Sequence, residues 1–170
     1  PAGSIRINEV MADPKGQKAF PETEYVELYN TTDKAIELNG WSFLYGSKPT
    51  VLTALLLDAD GYVVLYRSGR DIHIDDAGLD LPLDKFPASL VNTGKELALF
   101  DPSGKEIDRI AYEKAKVGIA WERSETGFHL STDERGGTPG SANSSPDDEP
   151  EDPDRPDTPH KPGIPTDIIV

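Results

Sequence analysis

The first 143 residues consist of short runs rich in apolar and β-branched side chains, and turn-forming residues separate these runs. The run from Tyr25 to Tyr29 illustrates the pattern, because Val26 and Leu28 alternate with residues that would lie on the opposite side of a strand. Apolar residues at the spacing of an amphipathic helix do not recur over any useful length. Many short strands with frequent turn signals predict an all-β sandwich or barrel.

The pattern predicts about eight or nine short strands. They span residues 5–10, 24–30, 35–38, 41–45, 51–57, 61–66, 96–100, 107–112 and 119–122. Gly40, Gly61, Gly94 and Gly104 stand at turns between strands and are predicted to adopt a positive φ. Strand alternation assigns one set of side chains to the core: Val26, Leu28, Ile36, Leu38, Trp41, Phe43, Val63, Leu65, Leu97, Leu99 and Ile110.

Composition divides the chain into three parts. Residues 1–143 are predicted to form one domain, since this length suffices to bury a core. Residues 144–165 form an acidic proline-rich linker in which prolines recur every third residue from Pro150 to Pro165. This period matches polyproline II, so at ~3.1 Å per residue the stretch would reach about 45 Å. It would serve either as a spacer between domains or as a ligand for an aromatic groove.

Several functions are disfavoured by composition. The formal net charge of −14 would repel a phosphate backbone, so nucleic acid is not expected as a partner. Cysteine is absent, and with it any disulfide or thiolate metal site. There is no Gly-x-Ser-x-Gly motif, and His73, His129 and His160 lack the spacing of a zinc motif. We therefore do not expect an enzyme. A membrane-spanning segment is not expected either, since no apolar run approaches roughly 20 residues.

Several segments of the domain, taken in order, resemble the lamin tail domain family. The resemblance begins with Ile7–Val10, continues through Met11–Pro14, and includes the strand Glu24–Asn30. Further matching segments are Asn39–Trp41, Gly61–Leu65, Asn92–Gly94, Leu97–Phe100, Gly104, Asp108, Tyr112 and Gly136–Gly140. The resemblance extends over roughly residues 4 to 143 and departs from the family pattern in the longer loop Arg67–Ser89.

The resemblance implies an immunoglobulin-like β-sandwich without catalytic residues. In lamins this domain is an interaction surface, and in bacteria it accompanies hydrolases, nucleases and other extracellular modules. We therefore expect a fragment of a secreted, periplasmic or cell-surface bacterial protein. Residues 166–170, which again show a polar start followed by β-branched residues, are the possible first strand of a following domain.

Carboxylates are the most plentiful candidate ligands. Glu9 is in phase with Ile5 and Ile7, so it is predicted to point inward, where an unpaired charge would be costly. Either Asn8 and Glu9 bond to backbone amides of a neighbouring loop, or Glu9 contributes to a calcium site. The further candidate ligands for that site are Asp13, Glu24 and Asp133. The residues Asp71, Asp75, Asp76, Asp80 and Asp84 within segment 71–84 form a second acidic group, either a solvated loop or a calcium site.

Two functions fit this sequence. The first is a non-catalytic module, expected to be monomeric, that tethers or spaces neighbouring domains and contacts a protein or surface polymer through a sheet edge or end loops. The second is a carbohydrate-binding sandwich, in which aromatic rings would stack on sugars. The candidate rings are Trp41, Tyr45, Tyr66 and Trp121, although aromatic residues at strand positions also serve as core.

Overall fold

The computed structural model describes residues 1–72, 74 and 78–145. These residues form strands and turns without a helix, and they accordingly include no helix suited to spanning a membrane. The strands are β1 (Ile5–Met11), β2 (Tyr25–Asn30), β3 (Ile36–Glu37), β4 (Ser42–Tyr45), β5 (Lys48–Val51), β6 (Leu56–Leu57), β7 (Tyr62–Arg67), β8 (Gly78–Leu83), β9 (Lys95–Phe100), β10 (Glu106–Tyr112), β11 (Trp121–Arg123) and β12 (Phe128–Leu130).

The strands form two main sheets. The larger, six-stranded sheet has the order β12-β11-β1-β2-β7-β8, and the smaller, four-stranded sheet has the order β10-β9-β4-β5. Neighbouring strands are antiparallel except for β7 and β8, which are parallel, and β3 pairs separately with β6. One hydrophobic cluster contains buried residues of both sheets. The predicted immunoglobulin-like all-β sandwich is therefore confirmed.

Strand alternation predicted the core well. Nine of the eleven predicted core residues are buried in the common cluster, and the other two, Ile36 and Ile110, are partly buried against it. The aliphatic positions of β2 and β7 contribute Leu28 and Leu65, both with an exposed fraction of 0%. Side chains of alternating positions on neighbouring strands thus form the contact between the sheets.

The single strand predicted over residues 51–57 is wrong. Strand β5 ends at Val51, and β6 begins at Leu56 and pairs with β3 instead. Between them, the Leu52 N–H donates to the Trp41 carbonyl at 2.8 Å, and the Leu55 carbonyl accepts from Leu38 N–H at 2.8 Å. The apolar run therefore crosses from the smaller sheet to the β3–β6 ladder, which a continuous apolar pattern cannot indicate.

Two strands were not predicted from the sequence. Strand β8 lies within the acidic segment 71–84, where Leu81 and Leu83 are buried at alternate positions. Strand β12 pairs with β11 at the other edge of the larger sheet. The aspartate content concealed β8, because solvent-facing aspartates lower the apparent strand propensity of a half-buried edge strand. The linker and final-strand predictions for residues 146–170 lie outside the described residues.

The glycine prediction is correct at three positions and wrong at one. Gly40, Gly94 and Gly104 adopt a positive φ, whereas at the β6–β7 turn Asp60, with φ 55°, takes the left-handed conformation instead of Gly61. Gly61 is nevertheless constrained, because an added Cβ would lie 2.9 Å from the backbone oxygen of Asp58. Close backbone approach, rather than φ, favours glycine there.

A β-bulge in β1 changes the orientation of Glu9. The register between β1 and β2 shifts between Ile7 and Glu9, so Ile5, Ile7 and Val10 face the core. Glu9 therefore lies on the outer face of the larger sheet, and its predicted phase with Ile5 and Ile7 is wrong. An extra residue at a bulge reverses the alternation of the positions that follow it. The prediction that Glu9 is enclosed and needs partners holds, because its exposed fraction is 0%.

Candidate functional site

Three glutamates lie side by side on the outer face of the larger sheet. Glu9 on β1 is the direct cross-strand partner of Glu122 on β11 and of Glu27 on β2. Each has an exposed fraction of 0%. Directly opposed residues have Cβ atoms about 5 Å apart, and like charges in that arrangement repel each other. We call these three residues the glutamate row.

Residues 136–144, here called the strap, cover the glutamate row. The N–H of Thr138 lies 3.1 Å from Glu9 Oε1 and 3.2 Å from Glu9 Oε2, to which it donates. The Thr138 hydroxyl lies 3.0 Å from Glu9 Oε2 and 3.1 Å from Glu122 Oε1. Thr138 therefore bridges two adjacent strands through its backbone and its side chain.

Two further strap residues bind the remaining carboxyl oxygens. The Gly140 N–H donates to Glu27 Oε2 at 2.6 Å. Ser144 donates to Glu122 Oε2 through its N–H at 2.8 Å and through its hydroxyl at 2.5 Å. Each glutamate of the row thus accepts at least one hydrogen bond from a strap backbone N–H. Buried polar groups need such partners, so the row and the strap satisfy each other.

Side chains of the sheet complete the network. The Asn8 amide donates to Glu27 Oε1 at 2.7 Å, and the Tyr25 hydroxyl donates to Glu9 Oε1. The Asn143 amide donates to the Asn8 carbonyl at 3.1 Å and to the Arg123 carbonyl at 3.0 Å. These contacts fix the strap to β1 and β11 in addition to its carboxyl bonds.

Two consecutive glycines allow the strap to approach the sheet. A Cβ on Gly137 would lie 2.6 Å from Glu9 Oε1 and 3.0 Å from the Tyr25 hydroxyl. Gly136 has φ +84°, and a Cβ there would lie 2.1 Å from the Gly118 carbonyl oxygen. Only residues without a Cβ fit these positions without a shift of the surrounding backbone.

The electrostatics of the row favour the neutral forms of Glu9 and Glu27. Burial, reinforced by the charge of Glu122, raises the pKa of Glu9 to about 8. Burial, followed by the charge of Glu9, raises the pKa of Glu27 well above its ordinary value. The pKa of the Tyr25 phenol is also raised, by burial and then by Glu9. Desolvation and like-charge repulsion act in the same direction here, because both disfavour the ionised forms of these groups.

The predicted calcium ligands lie in three different places: Glu9 lies in the glutamate row, Asp13 and Glu24 share a cleft, and Asp133 lies outside both. The Asp13 Oδ2 accepts from the Asn92 amide at 2.8 Å, and Glu24 Oε2 accepts from the Leu90 N–H at 2.8 Å, both in a cleft of about 600 Å³. Asp133 Oδ1 accepts from the Arg135 Nε–H at 2.9 Å. Burial of Asp133 would raise its pKa, but the hydrogen bonds from Arg135 outweigh this and lower it. Within residues 1–72, 74 and 78–145, no three or more carboxylates or histidines are arranged to hold a metal.

The acidic segment 71–84 is only partly described, since Asp75 and Asp76 lie outside the described residues. Asp80 on β8 accepts a hydrogen bond from the Tyr66 hydroxyl at 2.7 Å. The backbone carbonyl of Asp71 accepts from the Thr23 hydroxyl at 2.5 Å. Asp84 is exposed beside the end of β8. Two of the described aspartates thus fasten this segment to neighbouring strands and loops.

The four aromatic candidates for sugar binding are mostly covered. The exposed fractions are 7% for Trp41, 9% for Tyr45 and 7% for Tyr66, and Trp121 is half-buried against the core. The Tyr45 hydroxyl accepts a hydrogen bond from the Val91 N–H at 2.6 Å. Stacking on a sugar requires an open ring face, which these buried rings offer only in small part.

A groove lies between the free edges of the two main sheets. It has a volume of about 800 Å³ and runs between β5 and the end of β8. The Thr50 hydroxyl bridges the two sheets there by donating to the Lys85 carbonyl at 2.9 Å. Val51, with an exposed fraction of 59%, lies on its rim. Each of these edge strands contains a proline, Pro49 or Pro82, which removes one N–H donor and blunts the edge against pairing.

Sequence reasoning identified only one member of the glutamate row. Glu27 and Glu122 were not singled out, because an isolated glutamate between apolar residues in a strand ordinarily faces solvent. The available signal was the glycine-rich segment Gly136–Gly140, which offers several N–H donors without side chains that obstruct them. Donors of this kind need buried acceptors, and three strand glutamates are their natural partners.

The two packed sheets define an immunoglobulin-like β-sandwich. The family model described as Lamin Tail Domain matches residues 1–114, so the chain belongs to this family. The match ends before β11, so Glu122 and the strap lie outside the matched region, although the resemblance was expected to reach residue 143. No curated protein matches the chain.

Proposed function

We propose that this domain is a non-catalytic module that tethers and spaces neighbouring domains in an exported multidomain protein. The supporting observation is that the chain leaves the sandwich from a segment bound to three adjacent strands. The strap binds β1, β2 and β11, and the hydroxyl of Thr132 donates to the carbonyl of Ser145 at 2.9 Å. If this segment is held on the sheet, it would fix the position of a following domain relative to the sandwich.

The start of the chain is fixed in a similar way. The Gly3 N–H donates to the Ile107 carbonyl at 2.7 Å, and the Thr31 hydroxyl donates to the Gly3 carbonyl at 2.7 Å. A tether needs defined attachment points at both ends, and these bonds support that role. Prolines at every third position after the exit favour an extended spacer there. The exported setting rests on the bacterial occurrence of the family.

Single-molecule energy transfer tests the tethering function. The chain contains no cysteine, so Ala2→Cys and Ala142→Cys, both at exposed positions, accept one donor and one acceptor dye. At pH 6 we expect one narrow distance distribution between the two ends. A broad distribution in a folded, cooperatively melting protein would overturn the proposal.

Partner contact is proposed for the groove between β5 and β8. Prolines in both edges disfavour the addition of a full strand, so an extended segment of a partner protein would instead insert side chains between Pro49 and Pro82. Panning a random peptide library tests this, with Val51→Lys as the groove variant. Val117→Lys is the matched control, since Val117 is exposed to 62% and lies outside the groove lining. The proposal is supported if selected peptides bind the wild type and Val117→Lys equally well but bind Val51→Lys at least about tenfold more weakly. Peptides that bind Val51→Lys as tightly as the wild type contradict it.

A further inference from the structure

The strap is held in part by groups whose charge can change, and in part by bonds that do not titrate, such as those of Asn143 to two backbone carbonyls and of the Ala120 N–H to the Gly136 carbonyl. Its backbone and hydroxyl donors, from Thr138, Gly140 and Ser144, all go to carboxyl oxygens of the glutamate row. Residues 136–144 contain no ionisable side chain of their own. The attachment of the strap therefore depends on the protonation state of the sheet beneath it.

No cation among the described residues contacts the row. The ionisable groups that face it are Tyr25 on β2, Tyr62 on β7, whose pKa the charge of Glu27 helps to raise after burial, and His129 on β12, the cross-strand partner of Glu122. The nearest guanidinium in sequence, that of Arg123, is bound 3.2 Å from Asp108 instead. Three ionised carboxylates would therefore repel one another without a neutralising partner.

Access of water to the row would stabilise its ionised carboxylates. The row lies within the sheet, and the strap is the segment that separates it from solvent. Apart from the buried Pro139, the strap has no large apolar side chain that would resist displacement. Hydration relieves both the desolvation and the mutual repulsion of ionised carboxylates, whereas the strap's hydrogen bonds offset only part of the desolvation.

We propose that the strap is a proton-gated cover, closed while Glu9 and Glu27 hold protons and released when these two carboxyls ionise. Release exposes the outer-face residues beneath it, among them Tyr25 and Ala120. It also frees residues 136–144, which in extended form span about 30 Å. The raised pKa of Glu9, about 8 because of burial and Glu122, favours opening in mildly alkaline solution.

The consequence for tethering rests on the proposed function, whereas the opening itself does not. A closed strap holds the chain exit on the sheet, and an open strap lengthens the connection and lets it reorient. If the energy-transfer distribution is broad at pH 6 although a label at Ala142 is immobile there, the breadth arises at the Ala2 end, so tethering fails while gating stands; if the Ala142 label is itself mobile at pH 6, gating fails. If it is narrow at pH 6 and unchanged at pH 10, gating fails while tethering stands.

A nitroxide label on the strap tests the gate directly. Ala142→Cys carries the label at an exposed position of the strap, and electron paramagnetic resonance spectra are recorded from pH 6 to pH 10. We expect a mobile component that grows above about pH 8. In Glu9→Gln, which keeps the shape but cannot ionise, the mobile component should stay absent up to pH 10.

A matched label controls for global unfolding. Ala59→Cys, also an exposed alanine, lies in the β6–β7 turn and should keep one spectrum over the whole range. A mobile component at Ala59 at the same pH, or an identical response with and without Glu9→Gln, would overturn the proposal, as would a label at Ala142 that stays immobile to pH 10. If Glu9→Gln does not melt cooperatively, Glu27→Gln, at the other carboxyl whose pKa burial raises, replaces it.

Discussion

The two faces of the larger sheet are both buried, but by opposite chemistry. The inner face presents residues such as Ile7, Leu28 and Leu65 to the second sheet. The outer face presents Glu9 and Glu27, together with Glu122, to a strap of small residues. One face is stabilised by excluded water and packing volume, the other by hydrogen bonds to groups that titrate. The contribution of the inner face to stability should not change with pH, whereas the contribution of the outer face should change with pH.

The largest effect is expected on the inner face. Leu28→Ala removes a fully buried side chain from the common cluster and should lower the free energy of unfolding by about 2–5 kcal/mol. Because Leu28 packs in the hydrophobic cluster between the sheets, away from the glutamate row, the loss should be equal at pH 5.5 and pH 9. Urea denaturation at both values measures it. If the loss at pH 5.5 differs from the loss at pH 9 by more than about 1 kcal/mol, the inner and outer faces do not contribute independently to stability.

A steric change in the strap should have the next largest effect. In Gly137→Ala the new Cβ would lie 2.6 Å from Glu9 Oε1, so the strap must shift away from the row. Overpacking of this kind costs about 1–3 kcal/mol. Gly127→Ala, at a glycine with positive φ but no atom within 4 Å of the new Cβ, separates crowding from backbone preference. Wild-type stability of Gly137→Ala in thermal melts would contradict the crowded geometry, since Gly137, unlike Gly127, has no positive φ that could account for a loss.

Removal of one strap hydroxyl should have a moderate effect. Thr138→Val keeps the side-chain shape and the N–H bond to Glu9 but loses the hydroxyl between Glu9 and Glu122. We expect a loss of about 1–2 kcal/mol, since a buried acceptor is left without a partner. Thr138→Ser retains the hydroxyl and should keep most of the stability. If the serine variant is no more stable than the valine variant, the methyl group rather than the hydrogen bond is what matters.

Sequence reasoning recovered the inner face because that face follows a simple rule. Alternating aliphatic residues such as Val26 and Leu28 bury one side of a strand, and nothing interrupts the period in β2. The outer face follows no such rule. The bulge between Ile7 and Glu9 reverses the phase of β1, and the partner of Glu9 at Thr138 is 129 positions away. Long-range polar pairing leaves no periodic signal in one sequence.

At acid pH, Glu9→Gln is expected to change the free energy of unfolding least of these variants. Its effect should depend on pH, which distinguishes the outer face from the inner one. At pH 5.5 a neutral amide replaces a neutral carboxyl, so the change should be about 1 kcal/mol or less. The folded-state pKa of Glu9, about 8, lies above the unfolded value of 4.5. The unfolded chain therefore binds fewer protons between these values, and the wild type loses stability as pH rises from about 4.5 to about 8.

The slope of thermal stability against pH measures this difference. Because the amide introduced by Glu9→Gln does not titrate, the midpoint of thermal unfolding of the variant should fall less steeply than that of the wild type over this range. Glu125→Gln, at an exposed position, is the matched control and should keep the wild-type slope. Parallel curves for wild type and Glu9→Gln would mean that the outer face is as insensitive to pH as the inner one.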